Sequence, residues 1–122
     1  MIEGWIDSNL EAFIELDIQH DGAIHRQRFL VDTGFNGFIA VPQSLVSKLG
    51  LKLLDVQAGI TADGRESFFD TVEITVLWHD EARTVQAQIL DEALIGTRIL
   101  RGSRIQADWV RDGTFLVEQL RS

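Results

Sequence analysis

The stretch Phe29-Leu30-Val31-Asp32-Thr33-Gly34 decides how this chain is read. Three apolar residues lead into an aspartate, and Thr-Gly follows at once. A strand that crosses a core and then presents a carboxylate at a tight turn reads this way. A carboxylate set against apolar surroundings is costly unless it is paired or hydrogen-bonded. Asp32 is therefore a stronger candidate for chemistry than an aspartate on a polar surface. The tripeptide by itself can arise by chance, and its meaning comes from its neighbours.

Those neighbours mostly follow a period of two, the signature of strands. Across 10–18, positions 10, 12, 14, 16 and 18 are apolar, with Glu11, Phe13, Glu15 and Asp17 on the other face. His20-Asp21-Gly22 supplies a hairpin turn. The return over 23–31 becomes continuously apolar toward Asp32. After Gly37, Phe38-Ile39-Ala40-Val41 reads as a short buried strand. Pro42 suits a first helical residue, Leu45, Val46 and Leu49 recur at helical spacing, and Gly50 suits a stop, which predicts a helix over 42–49.

Residues 51–60 read as extended, and Ala62-Asp63-Gly64-Arg65 is a hairpin signal. Val72, Ile74, Val76 and Trp78 alternate on a long returning strand, His79-Asp80-Glu81 turns the chain, and Val85, Ala87 and Ile89 form the next face. Ala93-Leu94-Ile95-Gly96 is a second apolar run closed by glycine, an echo of 29–34. Residues 97–100 suit one helical turn. Ile105, Ala107 and Trp109 alternate, Asp112-Gly113 turns, and Phe115, Val117 and Gln119 complete the pattern. The expected fold class is all-β: a closed or nearly closed β-barrel with one or two short helices, in a single domain over 1–122.

Composition narrows the function. The chain has 122 residues, 45% hydrophobic and 25% charged, which suits a globular domain with a core. No apolar run approaches the roughly 18 residues of a membrane span. Met1-Ile2-Glu3-Gly4-Trp5-Ile6-Asp7 lacks the basic start and apolar stretch of a signal peptide, so a cytoplasmic location is expected. There is no cysteine, which removes disulfides, a thiolate nucleophile and Cys-based metal sites. The net charge of -8 argues against nucleic acid and against anionic membranes as partners.

Other chemistries find no motif. No Gly-x-Ser-x-Gly occurs, and no helix with the right spacing follows Gly34 and Gly37 for a dinucleotide. His20, His25 and His79 lack metal-ligand spacing, so no metal is expected. Asp80-Glu81 and Asp91-Glu92 lack the glycine-spaced carboxylates of a calcium loop. Trp5, Trp78 and Trp109 read as core or interface anchors.

Three features in order resemble the retropepsin-like aspartic proteases, in their small prokaryotic form. They are the apolar strand into Asp32-Thr33-Gly34, the glycine-containing hairpin Gly59 to Phe69 where that family carries its flap, and Leu94-Ile95-Gly96 followed by Ile99-Leu100. The likeness covers about residues 10 to 120. It implies a retropepsin-type barrel and an aspartic endopeptidase. One Asp-Thr-Gly supplies one carboxylate, so the resemblance also implies a homodimer that pairs Asp32 with its copy, acts on a protein or peptide substrate, and uses no cofactor. Thr33 and Gly34 would support the active-site loop. Gly59, Ile60, Ala62, Asp63, Gly64 and Arg65 would form the flap, and Leu94, Ile95 and Gly96 would pack behind the loop. Chain ends supply the dimer contact in viral relatives, so by analogy Ile2 to Ile6 or Phe115 to Leu120 are candidates for it, while the sequence itself does not say which strands make it.

The chain also departs from viral members. Phe35-Asn36-Gly37 stands where those often carry Ala and then a carboxylate, Thr97 separates Gly96 from Arg98, and the hairpin tip is polar at Asp63 and Arg65. Three other readings stay open. Asp32 could simply close an Asx turn onto Gly34. The domain could bind peptides as a dimer without cleaving them, or the barrel could hold a small ligand.

Overall fold

The computed structural model describes residues 1–60 and 63–121, with the side chains of 57–60 and 67 outside the description. In chain order the elements are β1 (Ile2–Ile6), β2 (Ala12–His20), β3 (Ala23–Val31), β4 (Ile39–Val41), α1 (Gln43–Leu49), β5 (Leu53–Ile60), β6 (Glu66–Trp78), β7 (Glu81–Ile89), β8 (Leu94–Ile95), α2 (Thr97–Leu100), β9 (Ser103–Ala107) and β10 (Thr114–Gln119). The strands form one 10-stranded sheet in the order β5-β6-β7-β4-β8-β3-β2-β1-β10-β9. A further pairing of β6 with β2, through Ile18↔Val76 and Gln19↔Thr75, closes β2, β3, β8, β4, β7 and β6 into a barrel. The protein is thus mostly β, with a closed barrel and two short helices, as the period-two pattern predicts.

The core fills the inside of that ring. Ala12, Ile14, Leu16 and Ile18 are buried, while Phe13, Glu15 and Asp17 are half-buried on the other face. Val72, Ile74, Val76 and Trp78 do the same for β6, with Phe29, Ile39, Val41, Ala87, Ile95 and Ile99 packed between them. On the outer face Arg26 reaches across from β3 to Glu15 at 3.4 Å and Asp17 at 3.1 Å.

Local chemistry sets the reversals. The loop between β2 and β3 is Asp21-Gly22, with φ of 50° and 76°, and the loop between β6 and β7 is His79-Asp80, with φ of 49° and 65°. Two successive left-handed residues match the twist of the flanking strands, and Asp and His tolerate that region better than most side chains. Helix α1 starts one residue later than the sequence predicts. Pro42 is its extended N-cap, and its carbonyl accepts from the Leu45 and Val46 amides at 3.0 and 3.3 Å. Gly50, with φ of 70°, ends the helix by donating to the Val46 carbonyl at 2.9 Å.

Two apolar residues leave the places that alternation predicts. The strand expected over 10–18 begins at Ala12. Asp7 Oδ1 accepts from the amides of Asn9 and Glu11, both at 3.0 Å, and this turn holds Leu10 at φ 60°, half-exposed. Likewise β9 ends at Ala107, short of Trp109. The Val110 amide donates to the Asp108 carbonyl and the Gly113 amide to the Val110 carbonyl, both at 2.8 Å, so the chain coils and Trp109 is 54% exposed. Trp78 is a core residue, and Trp5 is half-buried and stacks on Phe13 at 5.9 Å.

The terminal strands lie inside the sheet. β1 pairs with β2 and β10, and β10 pairs with β1 and β9, so neither presents an open backbone edge. Among the described residues the open edges belong to β5 and β9. Among them, too, no helix is long and apolar enough to cross a membrane.

Candidate functional site

Strand β8 lies between the two strands that flank the Asp32 loop. It runs parallel to β3 through Leu30↔Leu94 and Val31↔Ile95, and antiparallel to β4 through Ile39↔Ile95 and Ala40↔Leu94. The chain therefore leaves one side of β8, forms the 32–38 loop, and returns on the other side. Backbone bonds fasten that loop to the segment behind it. The Asp32 amide donates to the Ile95 carbonyl at 2.9 Å, and the amides of Gly96, Thr97 and Arg98 donate to the carbonyls of Phe38, Phe35 and Gly37 at 3.0, 2.9 and 3.1 Å. Gly96 is required by this contact: a Cβ there would overlap the carbonyl oxygens of Gly37 and Phe35. Leu94 and Ile95 are buried beneath the loop.

At the front of the loop Asp32 is half-buried, and Thr33 and Gly34 are exposed. The Gly34 amide donates to Asp32 Oδ1 at 2.9 Å, and the Phe35 amide donates to the Asp32 carbonyl at 3.1 Å. One carboxylate oxygen is thus held by the backbone. The other accepts no hydrogen bond among the described residues and is free to meet water or a ligand.

That carboxylate stands on a cleft of about 450 Å³. Leu10, Ala12, Leu30, Val31, Ile105, Trp109 and Phe115 supply its apolar walls, and Glu11, Asp32 and Thr33 its polar lining. The Trp109 ring meets Phe115 edge-on, with centroids 6.4 Å apart. Leu10, Ile105 and Trp109 are the residues that pattern reading did not connect with the site. The signal that could have found them is their poor fit to a core face: Leu10 follows the turn-forming Asp7-Ser8-Asn9, and Trp109 sits between Asp108 and Val110-Arg111-Asp112-Gly113.

The β5–β6 hairpin stands apart within one chain. Its register runs through Gly59↔Ser67 and Ile60↔Glu66. At its tip Gly64 has φ 82°, the Arg65 amide donates to Asp63 Oδ1 at 3.1 Å, and the Arg65 side chain lies 3.6 Å from Asp63 Oδ2. Ala62, and the side chain of Ile60, fall outside the described residues. None of Asp63, Gly64 and Arg65 lines the Asp32 cleft.

Arg98 takes up a structural position behind the loop. Its Nε donates to the Asn36 carbonyl at 3.4 Å, and its guanidinium lies 5.7 Å from the Phe38 ring centroid, with that of Arg83 at 5.5 Å. Away from the cleft, His79 Nε2 lies 2.8 Å from Ser103 Oγ. Burial pushes the His79 pKa below its ordinary value, the nearby amino terminus adds to that shift, and Asp80 opposes it. Among the described residues no cluster of three or more His, Asp or Glu side chains is placed to hold a metal ion.

Comparison of the chain with protein-family models, with curated proteins and with solved structures returns no match.

Proposed function

We propose that this chain is a retropepsin-like aspartic endopeptidase that works as a homodimer, one Asp32 from each copy forming the catalytic pair. The observation that carries the reading is the setting of Asp32. It lies on a loop pinned from behind by β8 and Gly96, with one oxygen held by the Gly34 amide, and it lines a mainly apolar cleft. An ionised carboxylate that takes a proton from water cannot at the same moment donate one to the carbonyl oxygen, and a two-fold axis would supply the missing partner.

In such a pair the two carboxylates cannot both ionise, so they share one proton. The ionised group takes a proton from a water as that water attacks the scissile carbonyl carbon. The protonated group hydrogen-bonds the carbonyl oxygen as charge develops there. Collapse of the tetrahedral intermediate breaks the C–N bond and passes a proton to the leaving amine. The chemistry uses protein carboxylates and water alone, and its apparent pKa values belong to the pair. Thr33, exposed beside Asp32, would bond across the axis. An extended peptide would lie in the cleft, and the paired strands β5 and β6 would close over it to exclude water.

The test is Asp32→Asn, assayed with a diverse peptide library from acidic to neutral pH. Asn keeps an oxygen for the Gly34 amide, so the turn survives while the ionisable group is lost. Hydrolysis should fall to background, and unchanged turnover would overturn the assignment. Cleavage by a strictly monomeric protein would overturn the paired mechanism.

One observation favours a second reading, a dimeric peptide-binding domain that does not cleave. The bond from the Gly34 amide already gives Asp32 a structural role as an Asx turn. That reading expects saturable peptide binding that survives Asp32→Asn, with no hydrolysis by either form.

A further inference from the structure

We infer that β9 is the contact strand of the homodimer, and that two copies join by antiparallel β9–β9 pairing centred on Ile105. The inference rests on the paired-Asp32 reading and adds the surface that would bring the pair together. It differs from the terminal-strand contact that the resemblance implies, because β1 and β10 already spend both backbone edges within one chain.

Three observations point to β9. First, it is an open edge: β10 covers one side, and no strand among the described residues covers the other. Arg104, Ile105 and Gln106 are exposed along it. It carries no proline and its register with β10 shows no bulge, two of the devices that commonly blunt an edge, and Arg104 is its one charged residue.

Second, it is the open edge beside Asp32. Ile105 lines the Asp32 cleft, whereas no described residue of β5, the other open edge, does so. An axis that sets two Asp32 carboxylates on either side of one water must pass through the mouth of that cleft. The same axis would cover Ile105, which is 41% exposed, together with exposed Trp109 and Val110 just beyond the strand.

Third, the strand is self-complementary about its middle. A two-fold axis normal to the sheet keeps every residue on its own face, so one residue must sit opposite its own copy. Centring on Arg104 would oppose two guanidinium groups, which is unfavourable across strands. Centring on Ile105 pairs the whole of β9: Ile105 meets Ile105, Arg104 meets Gln106, and Ser103 meets Ala107. Arg104 also keeps Glu118 as its cross-strand neighbour on β10.

The absence of native cysteine makes the test clean. In an Ile105→Cys variant the two introduced thiols would face each other at about 5 Å between Cβ atoms, close to disulfide reach. With diamide as oxidant it should run as a covalent dimer on a non-reducing gel and revert with reductant. Gln106→Cys, out of register with its own copy, and Val56→Cys on the β5 edge should remain single chains. Circular dichroism of the reduced variants checks that they fold. Ile105→Arg should weaken self-association in sedimentation equilibrium about tenfold or more.

A dimer that neither cross-links at position 105 nor responds to Ile105→Arg would overturn the interface, as would a chain that stays monomeric at every concentration. Peptide hydrolysis that depends on Asp32 but not on Ile105 would remove this interface and leave the peptidase reading standing. Cross-linking at 105 without Asp32-dependent hydrolysis would do the reverse.

Discussion

The amide of Asp32 donates to the carbonyl of Ile95 at 2.9 Å, so the aspartate is anchored to a strand far along the chain. The Asp32 loop is therefore no free turn. Its front is set by the Gly34 amide and its back by β8, Gly96 and Thr97.

Gly96→Ala is expected to disturb that anchor. The added Cβ would overlap backbone oxygens of Gly37 and Phe35, which cannot swing away as a flexible side chain could. Overpacking of this kind costs about 1–3 kcal/mol. The urea midpoint should fall accordingly, and under the peptidase reading hydrolysis should fall further than the loss of folded protein explains.

Asp32→Asn and Asp32→Ala should separate in stability. Asn retains an acceptor for the Gly34 amide, and Ala leaves that amide without its partner. The alanine variant should be less stable than the asparagine variant by about 1 kcal/mol, the usual net worth of such a bond. Urea unfolding of both variants reads this directly. Equal stabilities would mean that the Asx turn contributes nothing.

Two tryptophans should answer very differently to truncation. Trp78 is 5% exposed in the barrel core, and Trp78→Ala should cost about 3–5 kcal/mol. Trp109 stands mostly in solvent with an edge contact to Phe115, and Trp109→Ala should cost about 1 kcal/mol. Thermal or urea unfolding checks the contrast. If the cleft binds peptide, Trp109→Ala should also raise KM while the protein stays folded.

His79 predicts a slope in stability with pH. Its pKa in the folded chain lies below the ordinary value of 6.5, chiefly because burial disfavours the imidazolium. At pH values between the folded and unfolded pKa, the unfolded chain binds more protons, so stability rises with pH. It should therefore fall as pH drops from the ordinary value toward the folded one. Unfolding free energies measured between about pH 8 and about pH 5 should show a shallower slope for His79→Gln than for the parent protein.

Much of the barrel was legible in the order of residues, because it depends on short-range chemistry. Alternation over 12–18, 72–78 and 85–89 marks which side chains face the core. Asp21-Gly22 and Gly50 take up the left-handed conformations that end one element and begin another. Asp32-Thr33-Gly34 likewise stands out as a carboxylate at the end of an apolar strand.

The assembly of the cleft was not legible, because it depends on partners distant in the chain. Periodicity assigns a residue to a face and is silent about which strand will lie beside it. Nothing local to Leu94-Ile95 states that it will slot between β3 and β4, or that β6 will close the ring against β2. Leu10 and Trp109 make the same point. Their apolar character fits a core strand, yet the turns at Asp7 and Asp108 turn them out of the sheet and onto the wall beside Asp32. Side-chain type and spacing settle short-range conformation, whereas the cleft forms only when distant segments pair and pack against one another.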